Sequence, residues 1–83
     1  MELHIISPEQ TVIHSVAWVE AKTIAGSFVI QPGHAPTILL LSADKELVFC
    51  LINGKQESLL VPRGILDISR TTVTLIINQP LEG

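Results

Sequence analysis

Leu47-Val48-Phe49-Cys50-Leu51-Ile52-Asn53-Gly54-Lys55-Gln56-Glu57-Ser58-Leu59-Leu60-Val61 decides the fold. Two short apolar runs meet at Asn53-Gly54, and both of those residues tolerate the positive φ that a type I′ hairpin turn demands. The stretch therefore predicts an antiparallel hairpin with Leu47 to Ile52 and Glu57 to Val61 as its strands. Outward from it the pattern recurs: short apolar runs alternate with turn residues at intervals of roughly 8 to 12 residues, the spacing of sandwiches and barrels. The other candidate strands are Leu3 to Ile6, Val12 to Ala21, Phe28 to Ile30, Thr37 to Leu41, Ile65 to Ile68 and Thr72 to Ile77. β-branched residues, which suit a pleated surface, are frequent in them. In the last run Val73, Leu75 and Ile77 share one face while Thr72, Thr74 and Asn78 fall on the other, the alternation of a half-buried strand. The chain reads as all-β.

At 83 residues the chain is expected to form one domain, 1–83, because so short a polypeptide encloses a single core. Hydrophobic residues make up 47% and charged residues only 16%, the latter well below the roughly 25% of an ordinary soluble domain. Something is expected to cover part of the surface. The strands Thr37 to Leu41 and Leu47 to Ile52 are apolar on both faces, whereas a two-layer sandwich offers a dry interior to only one. Their outer faces are therefore expected to meet a partner, the alternative being a loop of the same chain folded over them.

Several function classes are disfavoured. The longest apolar run, Leu47 to Ile52, falls far short of the roughly 20 residues of a membrane-spanning helix. The start of the chain, with Glu2, His4 and Pro8, has neither the basic nor the apolar stretch of a secretory signal, so a cytoplasmic location is expected. A net charge of −3 with five scattered basic residues leaves no footprint for nucleic acid. Cys50, alone and within an apolar run, reads as a small hydrophobe.

Catalysis needs convergent nucleophiles, bases or ligands, and three histidines, one cysteine and two aspartates without recurring spacing do not provide them. His4 and His14 lie on different strands without a third ligand at metal-binding spacing, so no metal site is expected. Gly54-Lys55 is preceded by Phe49 where a phosphate loop needs glycine and is followed by Gln56 where it needs a hydroxyl. No cofactor, nucleotide or small-molecule substrate is expected. The densest local signal is Pro32-Gly33-His34-Ala35-Pro36, where two prolines fix φ around a glycine that permits a turn closed to other residues. Gly33 and Gly54 are the expected structural turn residues. Read plainly, the loop is a corner between strands, held by His34 bonding to nearby backbone.

Gly26-Ser27-Phe28-Val29-Ile30-Gln31-Pro32-Gly33-His34-Ala35-Pro36 resembles the "G-E-x-G-I-x-P-G-H-A-P" signature of the epsilon subunit of F-type ATP synthases. Leu3-His4-Ile5-Ile6-Ser7-Pro8-Glu9-Gln10 is similar to that family's opening strand and "S/T-P-E" turn. Val61-Pro62-Arg63-Gly64-Ile65-Leu66-Asp67-Ile68 resembles "V-S-G-G-F-L-E-V", and Val73 to Ile77 matches the final strand. Order and spacing agree across nearly the whole chain.

The resemblance implies a flattened β-sandwich of two mainly antiparallel sheets. It also implies a non-catalytic central-stalk subunit of a proton-translocating synthase, seated between the gamma subunit and the c-ring and peripheral at the inner membrane. Partner contacts are expected at Ser7, Ser27, Gln31 and His34. Ser27 replaces the acidic residue that in relatives faces the c-ring, Val29 replaces a glycine, Pro62-Arg63 replaces "S-G", and Asp44-Lys45-Glu46 stands near the family's "P-G". The sequence stops at Gly83, where relatives continue into a helical hairpin that inhibits ATP hydrolysis or binds ATP, so no hairpin, ATPase or ATP binding is expected of these residues. The alternative is a divergent epsilon-like paralogue that works outside the synthase as a self-associating, homodimeric or partner-binding module.

Overall fold

A computed structural model describes residues 1–78. Eight strands follow one another: β1 (Glu2–Ile6), β2 (Thr11–Thr23), β3 (Gly26–Ile30), β4 (Thr37–Leu41), β5 (Lys45–Leu51), β6 (Gln56–Val61), β7 (Gly64–Ile68) and β8 (Thr72–Ile76). There is no helix among the described residues, and so none long and apolar enough to cross a membrane. The expected domain boundary at Gly83 lies outside the described residues. Hydrogen bonding orders the strands β4-β7-β8-β1-β2-β5-β6, with β3 on the remaining part of the β1 edge of β2. All neighbours are antiparallel except β1 and β8, which run parallel with Leu3 opposite Val73 and Ile5 opposite Leu75.

The path folds into two layers at β2, a 13-residue strand that belongs to both. Its residues 11–15 pair with β1 in the first layer, β4-β7-β8-β1-β2. Its residues 16–23 pair with β5 and β3 in the second layer, β3-β2-β5-β6. The register slips between Val16 and Trp18, leaving Ala17 as an extra residue on the β5 side. A bulge of this kind bends a strand and reverses its side-chain phase. Accordingly Val12, His14 and Val16 face inward before it, and Val19 and Ala21 after it. One strand thus supplies core residues to both layers.

Between the layers lies an apolar core: Leu3, Ile5, Val16, Val19, Ala21, Ile30, Leu41, Leu47, Phe49, Val61, Leu66, Ile68, Val73, Leu75 and Ile77, with no buried polar side chain. Val73, Leu75 and Ile77 form the inward set of the last strand, in agreement with the alternation read from sequence. The molecule is flattened, 28 × 27 × 18 Å.

The hairpin that decided the fold is present, but its turn is not type I′. Gly54 N–H donates to the Leu51 carbonyl and Leu51 N–H to the Lys55 carbonyl, both at 2.8 Å, so three residues connect the strands. Gly54 has φ 92°, while Asn53 stays at negative φ. Asn53 Oδ1 instead accepts the Lys55 N–H at 3.0 Å, closing the turn with a side-chain oxygen. A three-residue turn that ends on one left-handed glycine solves the same problem with one positive-φ position rather than two.

Candidate partner-binding surface

Pairing places residues distant in sequence side by side on the outer face of the first layer. Leu40 of β4 is opposite Ile65 of β7, Ile65 opposite Ile76 of β8, and Ile76 opposite Ile6 of β1. All four point away from the core and are exposed, Leu40 by 73%. The adjacent row reads Ile38, Asp67, Thr74, His4 and Ile13, with Ile38 and Ile13 also exposed. An apolar band four strands wide therefore lies against water, where burial of each Å² is favoured by about 25 cal/mol. At the end of this band an open groove of about 480 Å³ is lined by Leu40, Leu41, Arg63, Gly64, Ile65, Ile76 and Asn78.

Gly64, at the edge of this groove, lets β7 pack closely against β8. An added Cβ would stand 2.9 Å from Ile77 Cγ2 and 3.0 Å from the Ile76 carbonyl oxygen, so a side chain there would collide with the end of β8. Arg63 at the rim is exposed and has no carboxylate within salt-bridge distance among the described residues.

The expected apolar outer faces of Thr37 to Leu41 and Leu47 to Ile52 do not form one surface, since β4 belongs to the first layer and β5 to the second. In β4 the outward pair is Ile38 and Leu40; in β5 it is Val48 and Cys50, both half-buried, followed by exposed Ile52.

The four residues expected to contact partners divide between two ends of the sandwich. Gln31 and His34 share the loop before β4, where His34 N–H donates to the Gln31 carbonyl at 3.1 Å and His34 Nδ1–H to the Ala35 carbonyl at 2.8 Å. Gly33, with φ 85°, donates its N–H to the Arg70 carbonyl at 2.8 Å and so ties the loop to the β7–β8 turn. The opposite end carries Ser7 and Ser27. Ser7 Oγ donates to the Gln10 carbonyl at 3.0 Å in the turn after β1. Ser27 pairs with Lys22, whose carbonyl accepts the Ser42 N–H from the end of β4. No hydrogen bond among the described residues joins the two pairs. At that second end Asp44 takes φ 59°, the left-handed turn position, and donates its N–H to the Val61 carbonyl at 2.9 Å.

Chemistry-bearing residues are dispersed. His4 faces outward and donates from Nε2 to Glu2 Oε1 at 2.9 Å, whereas His14 faces inward and lies against Phe49 with ring centroids 5.1 Å apart. No group of three His, Cys, Asp or Glu among the described residues is arranged to hold a metal. Sequence reading missed Ile6, Ile65 and Ile76. The available signal was Ile76, the apolar residue in the otherwise polar phase of β8.

The chain matches the family described as "ATP synthase, Delta/Epsilon chain, beta-sandwich domain" over residues 1–82. It is similar to the ATP synthase epsilon chain of Xylella fastidiosa, with 33% identity over 80 residues covering 95% of this chain and 56% of that one. Its identity to the epsilon chain of Carboxydothermus hydrogenoformans is 29%, covering all of this chain and 61% of that one. The chain thus spans roughly three-fifths of the length of these relatives. In fold it resembles chains in the mitochondrial ATP synthase of Euglena gracilis and in the central stalk/c-ring of the Tetrahymena thermophila enzyme. The TM-scores are 0.80 and 0.78, at 18% and 17% identity, covering 89% and 95% of this chain and 48% and 63% of those chains. An all-strand two-layer sandwich with an intact Pro32-Gly33-His34-Ala35-Pro36 loop, matched end to end by one family, belongs to the delta/epsilon-chain β-sandwich domain of ATP synthases.

Proposed function

We propose that the chain is a non-catalytic central-stalk component of a proton-translocating F-type ATP synthase, held at the inner membrane from the cytoplasmic side through the complex. It couples the gamma subunit to the c-ring and carries out no reaction itself. The observation that carries the reading is the exposed apolar row Leu40-Ile65-Ile76-Ile6, in a domain of this family. That row meets gamma by burial of apolar surface. The end bearing Ser7 and Ser27, with its turns and short hydroxyl side chains, meets the polar loops of the c-ring, and Gln31 and His34 extend the gamma contact at the other end. With Ser27 in the acidic position of relatives, this c-ring contact relies on neutral hydrogen bonds, which are roughly half as strong as charge-assisted ones.

Affinity capture of the gamma subunit encoded in the same genome tests the reading. The parent chain retains gamma, and Ile76→Lys, with unchanged circular dichroism, loses at least about tenfold in affinity, because a charge would enter a desolvated interface. Gamma binding that is indifferent to Ile76→Lys, or absent from the folded parent, overturns it.

A further inference from the structure

The sheet path ends at β4; β2 touches that strand through the bond from Ser42 N–H to the Lys22 carbonyl at its end, and residues 37–41 of the strand have no ladder partner on its outer edge among the described residues. Its backbone N–H and C=O groups on that side are a template for another strand, which natural sheets ordinarily blunt with charge, proline, glycine-rich twist or a bulge. The other two free edges carry such devices. β6 begins Gln56-Glu57-Ser58, with Lys55 within 3.7 Å of Glu57, and β3 opens on Gly26 at φ 127°. β4, Thr37-Ile38-Leu39-Leu40-Leu41, has none of them within the strand; Pro36, directly before Thr37, guards only its first end. Its outward residues Ile38 and Leu40 are 67% and 73% exposed.

We propose that β4 pairs antiparallel with β4 of a second copy of this chain, about a two-fold axis through Leu39, joining the two first layers into one continuous sheet. The strand is self-complementary in this register: Ile38 lies opposite Leu40 of the other copy, Thr37 opposite Leu41, and no charged side chain meets another across the junction. Cross-strand apolar pairs of this kind stabilise a sheet, and the two exposed rows become continuous. The inference is independent of the proposed role in the synthase. A five-residue edge buries less than the roughly 1,200 Å² of a stable interface, so the association is weak and concentration-dependent.

Sedimentation of the 83-residue chain, from about 10 μM to about 1 mM, shows the mass rising from 9.0 kDa toward twice that value. Leu40→Lys, which places a charge on the edge, restores the monomer without changing circular dichroism. Ile76→Lys, on the same face but two strands away from β4, leaves the dimer intact. Register is read by oxidation in a Cys50→Ser background. A mixture of Ile38→Cys and Leu40→Cys chains forms a disulfide between copies, because opposite residues have Cα atoms about 4.5–5.5 Å apart, while either chain alone does not. A monomer at every concentration overturns the proposal. So does a dimer that survives Leu40→Lys, one that is lost in a folded Ile76→Lys variant, or equal cross-linking in all three samples.

Discussion

The two outer faces of the sandwich are built from strands of similar apolar content and end in opposite states. On the first layer, register brings Leu40, Ile65, Ile76 and Ile6 into one line. On the second, polar residues interrupt the apolar ones: Val48 lies between Ser58 and Glu20, Leu60 opposite Glu46, and Cys50 between Trp18 and Gln56, so that Trp18 and Cys50 are the one apolar pair among these. Even Val29 lies across from Glu20. A patch is thus a property of cross-strand pairing, and no strand read alone declares it. The apolar excess of the composition is concentrated on one face and diluted on the other.

The sharpest way to break this comparison is to exchange inner and outer positions on a single strand. Phe49 of β5 is buried in the second layer and its neighbour Val48 points outward. Phe49→Lys is expected to cost more than about 4 kcal/mol, the loss of a buried aromatic plus an unpaired charge, and to abolish cooperative unfolding. Val48→Lys, beside Glu20 on the mixed face, should cost less than about 1 kcal/mol and leave association unchanged. Denaturant titrations of the two variants read both outcomes; equal destabilisation would mean that the outer face of β5 is itself covered.

A smaller effect sharpens the account of the first layer. Gly64→Ala forces its Cβ against Ile77 Cγ2 and the Ile76 carbonyl, so a loss of about 1–3 kcal/mol is expected from overpacking rather than from backbone strain. Because φ at Gly64 is not in the left-handed region, a neutral result would show that the end of β8 can yield, and that the groove beside it is soft.

The smallest difference concerns the hairpin of the second layer. Gly54→Ala at φ 92° should cost about 1–2 kcal/mol, and Asn53→Ala, which loses only the bond from Lys55 N–H, about 0.5–1 kcal/mol. Chemical denaturation with both variants gives the ranking, and its reversal would restore the two-residue turn.

Strand identity was legible because turn chemistry and β-branched runs are local. All eight strands stand where the sequence places them, with ends displaced by two residues or fewer. The bulge in β2 was not legible: Val16-Ala17-Trp18-Val19 is apolar throughout, so a slip of phase within it leaves no mark on the pattern. Nor was the turn at Asn53-Gly54, since both hairpin types favour the same residues and the choice rests on which residue pairs with Leu51. The exposed apolar row was invisible for a different reason, because Leu40, Ile65, Ile76 and Ile6 come together only through three separate pairings, one of them parallel between the two ends of the described chain. The resemblance named Ser7, Ser27, Gln31 and His34 individually. Their separation into opposite ends follows from register alone.

Sharing β2 between the layers has a mechanical consequence. In an ordinary sandwich a twisting load passes from one sheet to the other through side-chain contacts, which can slide past one another as in shear motions of packed elements. Here the load also runs through the covalent backbone at residues 16–18, so that a torque applied at the first layer reaches the second along a path of bond stiffness. The two faces can turn together and resist turning apart.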